Sequence, residues 1–311
     1  MTDCPPLRIA CVGEAMVELS RDSTHMTAQL GFAGDTLNTA IYLRRLLPEN
    51  HHISYVTTLG TDAFSDQMLD YIRSERLATD LVTRNENRTV GLYAINTDMD
   101  GERSFTYWRD NSAARTLFQT PEGTDFSTLK DLDIVYVSAI TLAILPNAVR
   151  CAFFEWIEQF RANGGRFAFD SNYRPTLWES RVVAQFTTAR AWSMTDIALP
   201  SIDDEMALFG DTTEAGALSR LNDYGIPMGA LKRGARGPVA MGGLIPERPY
   251  PAASSVVDTT AAGDSFNAGF LASILQGHPL EAALRAGHNC ASRVIGHRGA
   301  IIPKDIWAQS H

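Results

Sequence analysis

Apolar runs of strand length and stretches of helical period take turns along most of this chain, and that alternation restricts its fold more than any other feature. RIACVGEAMVEL (8 to 19) reads as a buried strand, and DTLNTAIYLRRLL (35 to 47) as a helix capped by Asp35. SYVTTLG (54 to 60) reads as a strand and DAFSDQMLDYIRSER (62 to 76) as a helix. Next come the strand DIVYVSAI, the long helix PNAVRCAFFEWIEQF, the strand RFAFDSN, a further helix and the strand DIALPS. Strands joined through helices pair in parallel and need cover on both faces. The expected architecture is therefore a three-layer α/β/α domain with a mostly parallel central sheet, a single unit over residues 1 to 311.

One region departs from the pattern. TVGLYAINTDMDGERSFTYWR (89 to 109) is two strand-like runs around a D-M-D-G turn, an antiparallel hairpin. On a parallel α/β domain such a hairpin serves either as a simple edge or as a lid that closes over substrate and excludes water.

Composition removes several functional classes. With 45% hydrophobic and 20% charged residues, a chain of 311 residues is an ordinary globular protein. No apolar run approaches the roughly 20 residues of a membrane span, and MTDCPPLRIACVGEAM has no basic region followed by a long apolar core, so the cytoplasm is the expected address. Cys4, Cys11, Cys151 and Cys290 form no C-x-x-C pair and are expected to be free thiols. A formal charge of −9 argues against a nucleic-acid partner. Among the 27 positive residues only Lys130, Lys232 and Lys304 are lysines. The rest are arginines, which hold carboxylates and phosphates in bidentate fashion.

Parallel sheets bind ligands beyond the carboxyl ends of their strands. Asn172 and Arg174 follow RFAFD, Ser201 to Glu205 follow DIALP, Lys232 to Gly237 follow MGAL, and Asp264 follows the strand-like SSVVDT. Asp264 also stands at the start of an apolar helix that ends at Gly277, behind Ala261, Ala262 and Gly263. Small residues at a helix start let a ligand approach N–H groups that attract anions. A carboxylate in that place is either a helix cap or a group with chemistry to do. There is no Gly-Lys dipeptide and no G-x-G, hence no Walker loop, dinucleotide fingerprint or protein-kinase glycine loop, and no G-x-S-x-G, H-E-x-x-H or paired Cys/His set. What remains suits phosphoryl transfer to a hydroxyl, in which N–H donors stabilise the developing charge and a carboxylate accepts the proton.

DTTAAGDSFNAGF (258 to 270) resembles the C-terminal signature of the ribokinase (PfkB) family of carbohydrate kinases, and GFAGDTLNTA (31 to 40) resembles that family's other glycine-rich signature. The likeness runs over essentially the whole chain, the hairpin included. CVGEAMVELS, GLYAINTDMDGERSFTYWR and DSNYRPTLW narrow it to members that phosphorylate 2-keto-3-deoxygluconate on its 6-hydroxyl with ATP and Mg²⁺. Arg109 and Arg174 agree with an acidic sugar, since a neutral hexose would leave two buried arginines without a counter-charge.

The resemblance implies roles. Gly34, Asp35 and Asn38 contact the sugar hydroxyls, Tyr93, Tyr107 and Arg109 close from the lid, and Arg174 binds the acid end or lies between it and ATP. Asp264 takes the proton while the N–H groups of Ala261, Ala262, Gly263 and Asp264 form the anion hole. ATP lies along Asn172, Ser201, Lys232, Gly234, Gly237 and Gly263, with Asn289 near the adenine, and His288 beside it is a packing residue. Either Asp204 or Glu205 orders Mg²⁺ through water, where the family has the glutamate of an N-x-x-E motif; Asp258 and Thr260 are the candidates for a monovalent cation such as K⁺. Ala261 replaces a glycine of the family signature and stiffens the hole. An exposed lid sheet offers a route to a homo-oligomer. The competing functions are a kinase of fructose, another hexose or a nucleoside, and a sugar sensor that keeps the fold without turnover.

Overall fold

A computed structural model of the chain describes residues 5–21, 27–97, 103–241 and 249–309. Seven strands form the central sheet in the order Val239–Ala240, Met228–Leu231, Ile197–Leu199, Arg166–Asp170, Ile134–Ser138, Arg8–Val12, His52–Val56. Every pairing is parallel except the first, which is antiparallel. Among the described residues ten α-helices accompany it: α1 (Asp35–Leu46), α2 (Ala63–Ser74), α3 (Ala139–Ile144), α4 (Asn147–Ala162), α5 (Arg181–Ser193), α6 (Ile202–Phe209), α7 (Glu214–Asn222), α8 (Ala262–Leu275), α9 (Leu280–Val294) and α10 (Lys304–Ala308).

The period of two along each strand builds the three layers. Ile9 and Cys11 face one core with Ile134 and Tyr136, and there they meet α1, α8 and α9. Ala10 and Val12 face the other with Val135, Val137, Phe167 and Phe169, against α4 and α5. Burial on both faces explains why these strands read as unbroken apolar runs. Helix α8 lies deepest, buried at every residue from Ser265 to Ser273. It can lie against α9 because Gly269 has no side chain: a Cβ there would stand 2.6 Å from the Ala286 carbonyl oxygen.

The sheet that holds the hairpin, expected as the lid, is larger than the hairpin itself. Gly91–Thr97 and Arg103–Trp108 do form an antiparallel pair, while the D-M-D-G turn lies outside the described residues. Two further strands join them, giving the order Ala28–Ala33, Met16–Arg21, Gly91–Thr97, Arg103–Trp108. The expected single strand over 8 to 19 is thus two: it leaves the central sheet after Val12 and re-enters a different sheet at Met16, turning at Gly13, Glu14 and Ala15. SYVTTLG divides likewise, with Thr58–Leu59 pairing on Thr83–Arg84. SSVVDT is no strand: Val256 and Val257 are exposed, so no neighbour rewards an extended pairing there. Cys11, Cys151 and Cys290 are free thiols, and Cys4 lies outside the described residues.

Candidate active site

The chain enters α8 through Ala261, which caps the helix in the left-handed region at φ 59° with no side-chain cap bond. A non-glycine residue there carries roughly 1–2 kcal/mol of strain. This turn aims the start of α8 across the carboxyl ends of the sheet strands. The Ala262 N–H folds back on to the Thr259 carbonyl at 3.2 Å. The N–H groups of Gly263 and Asp264 belong to the first turn, whose donors find no acceptor within their own helix. Asp264 is not a cap. Its carboxylate turns on to Asn38 of α1, accepting from Nδ2 at 2.8 Å.

Three aspartates converge here, and each is held by an asparagine amide. Asp264 accepts from Asn38, Asp35 accepts from Asn172 at 2.8 Å, and Asp170 accepts from Asn267 at 2.8 Å. Asp35, expected to cap α1, stands instead in its first turn, with Gly34 at the cap; its carboxylate also accepts from Ser138 Oγ at 2.5 Å. Burial is the main cause that raises the Asp35 pKa, against the Ser138 bond that lowers it. Burial and then the charge of Asp35 push Asp264 up to about 8, while the Asn38 bond pulls it back. A carboxyl so placed is poised to accept a proton near neutral pH.

Lys232, next after the strand Met228–Leu231, is no solvated strand end. Its Nζ lies 2.8 Å from Asp170 Oδ1 and 3.0 Å from Asn267 Oδ1. Ser201 starts α6 beside it, and the two backbones form an isolated parallel bridge. Gly234 and Gly237 bound a tight turn beyond Lys232, and Asn289 is exposed on α9. His288 packs: its ring lies 4.8 Å from that of Tyr250, and Nε2 is 2.7 Å from the Pro251 carbonyl.

The two acidic candidates on α6 part company. Asp204 is partly exposed, accepts from Ser171 Oγ at 3.3 Å and stands 3.5 Å from Arg174. Glu205, fully buried, turns the other way, accepting from Trp192 Nε1 at 3.1 Å and pairing with Arg220 at 3.0 Å. Burial raises its pKa to about 7. Successive helical residues project about 100° apart, so only one of the pair can face the site. Asp258, behind the start of α8, accepts from the Thr260 N–H at 3.0 Å and the Gly299 N–H at 2.6 Å. No group of three or more His, Cys, Asp or Glu gathers as a metal cluster among the described residues.

One face of the four-stranded sheet carries Tyr93, Phe105 and Tyr107. Tyr93 stacks on Tyr107 with ring centroids 5.8 Å apart, and its hydroxyl donates to Glu18. Trp108 alternates to the opposite face and is exposed. The premise of two buried arginines awaiting a substrate carboxylate needs correction. Arg109 is buried, but Glu14 meets its charge, accepting from Nε at 2.9 Å and from Nη2. Arg174 is half-exposed, at 51%, beside Asp204. The structure therefore brings Gly34, Asp35, Asn38, Asn172, Lys232, Gly263 and Asp264 into one neighbourhood, with Tyr93, Tyr107 and Arg109 on the lid, and leaves Glu205 out. Glu14, Glu18, Phe105, Ser138, Asp170 and Asn267 escaped the sequence reading. Asp170 ends a parallel strand, and Asn267 sits three residues after Asp264 on the same helix, so the strand-end rule and the helical period were the available signals.

Comparison with known proteins agrees in family and fold. A family model described as pfkB family carbohydrate kinase matches residues 7–307. A 2-dehydro-3-deoxygluconokinase of Escherichia coli (strain K12) is 43% identical over 305 residues, 96% of this chain and 98% of that one. One of Dickeya dadantii is 42% identical over 302 residues, 95% of this chain and 96% of that one. A crystal structure of fructokinase from Vibrio cholerae O395, in its fructose, ADP and calcium ion bound form, superposes with a TM-score of 0.81 at 24% identity, covering 96% of this chain and 95% of that one. With a match that spans nearly every described strand and helix, the chain belongs to the pfkB family of carbohydrate kinases.

Proposed function

We propose that this protein transfers the γ-phosphoryl group of ATP to the 6-hydroxyl of 2-keto-3-deoxygluconate, giving 2-keto-3-deoxy-6-phosphogluconate. Relatives 42–43% identical over nearly their whole length bear the corresponding name. The observation that carries the chemistry is Asp264, a carboxyl raised to about 8 at the first turn of α8 and aimed by Asn38. In this reading Asp264 accepts the hydroxyl proton as the oxygen attacks phosphorus. The first-turn N–H groups of α8 meet the charge on the transferring oxygens.

The sugar lies over Gly34, Asp35 and Asn38, with Tyr93, Tyr107 and Arg109 above it. Glu14 fixes the Arg109 guanidinium, so Arg109 offers the substrate a direction, and the half-exposed Arg174 offers it further donors. ATP runs along Asn172, Ser201, Lys232, Gly234 and Gly237 toward Asn289. Mg²⁺, when bound, offsets phosphate charge; Asp204 would hold it through water, and its partial exposure fits that task. Asp258 and Thr260 are the residues for a monovalent cation. The whole chain works as one kinase unit with the lid contributed mainly by 89–109, and its use of ATP suits the cytoplasm. No described helix is long and apolar enough to cross a membrane. Leu30 and Trp108, exposed on the outer face of the lid, are the surface for a homo-oligomer.

The test is ADP release from Mg-ATP with 2-keto-3-deoxygluconate, its galactose-derived epimer, gluconate, fructose and ribose, each beside Asp264→Asn. Turnover confined to the keto-deoxy acids and lost in the variant is the expected result. A second reading, a fructose kinase, draws on the Glu14–Arg109 pair, which needs no acid from the substrate. Turnover on fructose alone would establish it.

A further inference from the structure

Lys232 occupies a place that nucleotide binding alone does not explain. Its side chain is 11% exposed, and its ammonium completes a closed triangle. Nζ donates to Asp170 Oδ1 at 2.8 Å and to Asn267 Oδ1 at 3.0 Å, and Asn267 Nδ2 donates back to Asp170 Oδ2 at 2.8 Å. Asn267 Nδ2 is held in turn by the Tyr136 hydroxyl at 3.0 Å. Asp170 and Asn267 are themselves buried. Two of the three ammonium protons are spent inside the triangle, which leaves one.

That third proton has a neighbourhood. Nζ stands 3.7 Å from where a Cβ on Gly263 would be, so it borders the open side of the second residue of α8. Its charge acts on Asp264 on one side and on Asp204 on the other, lowering the pKa of both. A cation that borders the start of α8 and whose charge reaches both Asp264 and Asp204 is placed to meet an anion held at that helix start. The triangle also accounts for a lysine in a chain whose other positive residues are nearly all arginines. It offers a point site, whereas a guanidinium fork needs a planar pair of acceptors.

We propose that Lys232 is a catalytic residue, stabilising the transferring phosphoryl group, and that Asp170 and Asn267 are the positioning residues that hold it over Gly263. The inference rests on the phosphoryl-transfer reading above. In the step itself the substrate oxygen forms a bond to γ-phosphorus as the bond from phosphorus to the ADP oxygen breaks. The electron pair leaves with ADP and the hydroxyl proton passes to Asp264. Lys232 gives up no proton; its charge offsets that spreading over the phosphoryl oxygens.

The test compares wild type, Lys232→Met, Lys232→Arg, Asp170→Asn and the Lys232→Met/Asp170→Asn double variant. It measures kcat, thermal midpoint, and binding of Mg-ADP with 2-keto-3-deoxygluconate in the presence and absence of aluminium fluoride, a mimic of the group in flight. Lys232→Met is expected to lose about 100-fold or more in kcat while binding Mg-ADP within about threefold of wild type, and to lose the tightening that aluminium fluoride confers. Lys232→Arg should recover part of the rate. Asp170→Asn should lose about tenfold, and the double variant no more than Lys232→Met alone, because the aspartate acts through the lysine. Should Asp170→Asn fail to fold, Asn267→Ser tests the same triangle.

Three results would overturn the inference: a Lys232→Met variant within about threefold of wild-type kcat, one whose Mg-ADP affinity falls as far as its kcat, or a double variant whose losses add. An inactive wild type would sink the phosphoryl-transfer reading itself, whereas an active wild type matched by Lys232→Met would sink only the role of the lysine.

Discussion

On the floor of the site Asp264, Asp35 and Asp170 are each pinned by an asparagine, and the helix beneath them is buried along nearly its whole length. On the lid above, Phe105 and Tyr107 are 44% and 50% exposed and lie mainly against one another and Tyr93. The floor has its geometry before any ligand arrives, as charge stabilisation requires, since donors that must reorganise lose much of their advantage. The small sheet leaves apolar surface exposed, which in the proposed reading a bound substrate would cover. The floor is thus fixed by burial and hydrogen bonds, whereas the small sheet presents rings half open to solvent.

The division is open to attack at its strongest point first. Asp264→Asn keeps shape and the Asn38 contact but removes the proton acceptor, so kcat should fall about 10³-fold with no loss of thermal midpoint. A retained rate in steady-state assays would leave the floor with no chemistry to defend. Arg109→Met probes the root of the lid. It strands the buried Glu14 carboxylate, and chemical denaturation should register a loss of about 3–5 kcal/mol. A loss under about 1 kcal/mol would mean the pair is no anchor between floor and lid.

The pH dependence of stability sharpens the same contrast. Asp264 has its pKa raised in the folded state to about 8, against about 3.9 unfolded, so the folded protein binds the extra proton. That contribution is fully present below about pH 4 and fades as pH climbs to about 8. Thermal midpoints of wild type should therefore drop more steeply across this window than those of Asp264→Asn, and parallel curves would contradict it. In activity the sign reverses, because the acceptor must be unprotonated: kcat/KM should rise with pH through the same range.

Smaller effects belong to the surfaces. Ala261→Gly removes the left-handed strain at the entry to α8 but loosens the unfolded chain, for a net gain of up to about 1 kcal/mol in calorimetry. A loss would show that Ala261 is not strained. Tyr107→Ala should change stability by less than about 0.5 kcal/mol, as an exposed residue, yet raise KM for the sugar with kcat less affected. If KM stays put, the inner face of the lid does not meet the substrate.

The floor was far more legible in sequence than the lid. Parallel strands buried on both faces announce themselves as apolar runs, and the Ala-Ala-Gly-Asp start of α8 stands out because small residues and a lone carboxylate are an odd pairing. Met16–Arg21 was hidden because it continues the apolar run of Arg8–Val12, and nothing in the period marks the turn at Gly13 to Ala15. Ala28–Ala33 was hidden inside a glycine-rich stretch that reads as loop. The Glu14–Arg109 pair joins residues 95 apart, beyond any local pattern. Asp204 and Glu205 could be told apart only once the helix showed which of them faced inward.

The lid's wiring also has a consequence for a chain emerging from a ribosome. Its inner pair of strands, Met16–Arg21 and Gly91–Thr97, run parallel, with some 75 residues between the first and its partner; Ser20, for example, waits for Ile95. At synthesis rates of roughly 5–20 residues per second, Met16–Arg21 spends about 4–15 s paired only with Ala28–Ala33, its other edge open. During that interval Val17 and Leu19 lie on an edge that any other extended segment could borrow. The nascent protein therefore has its period of greatest exposure early, before the helix that carries its chemistry has been translated.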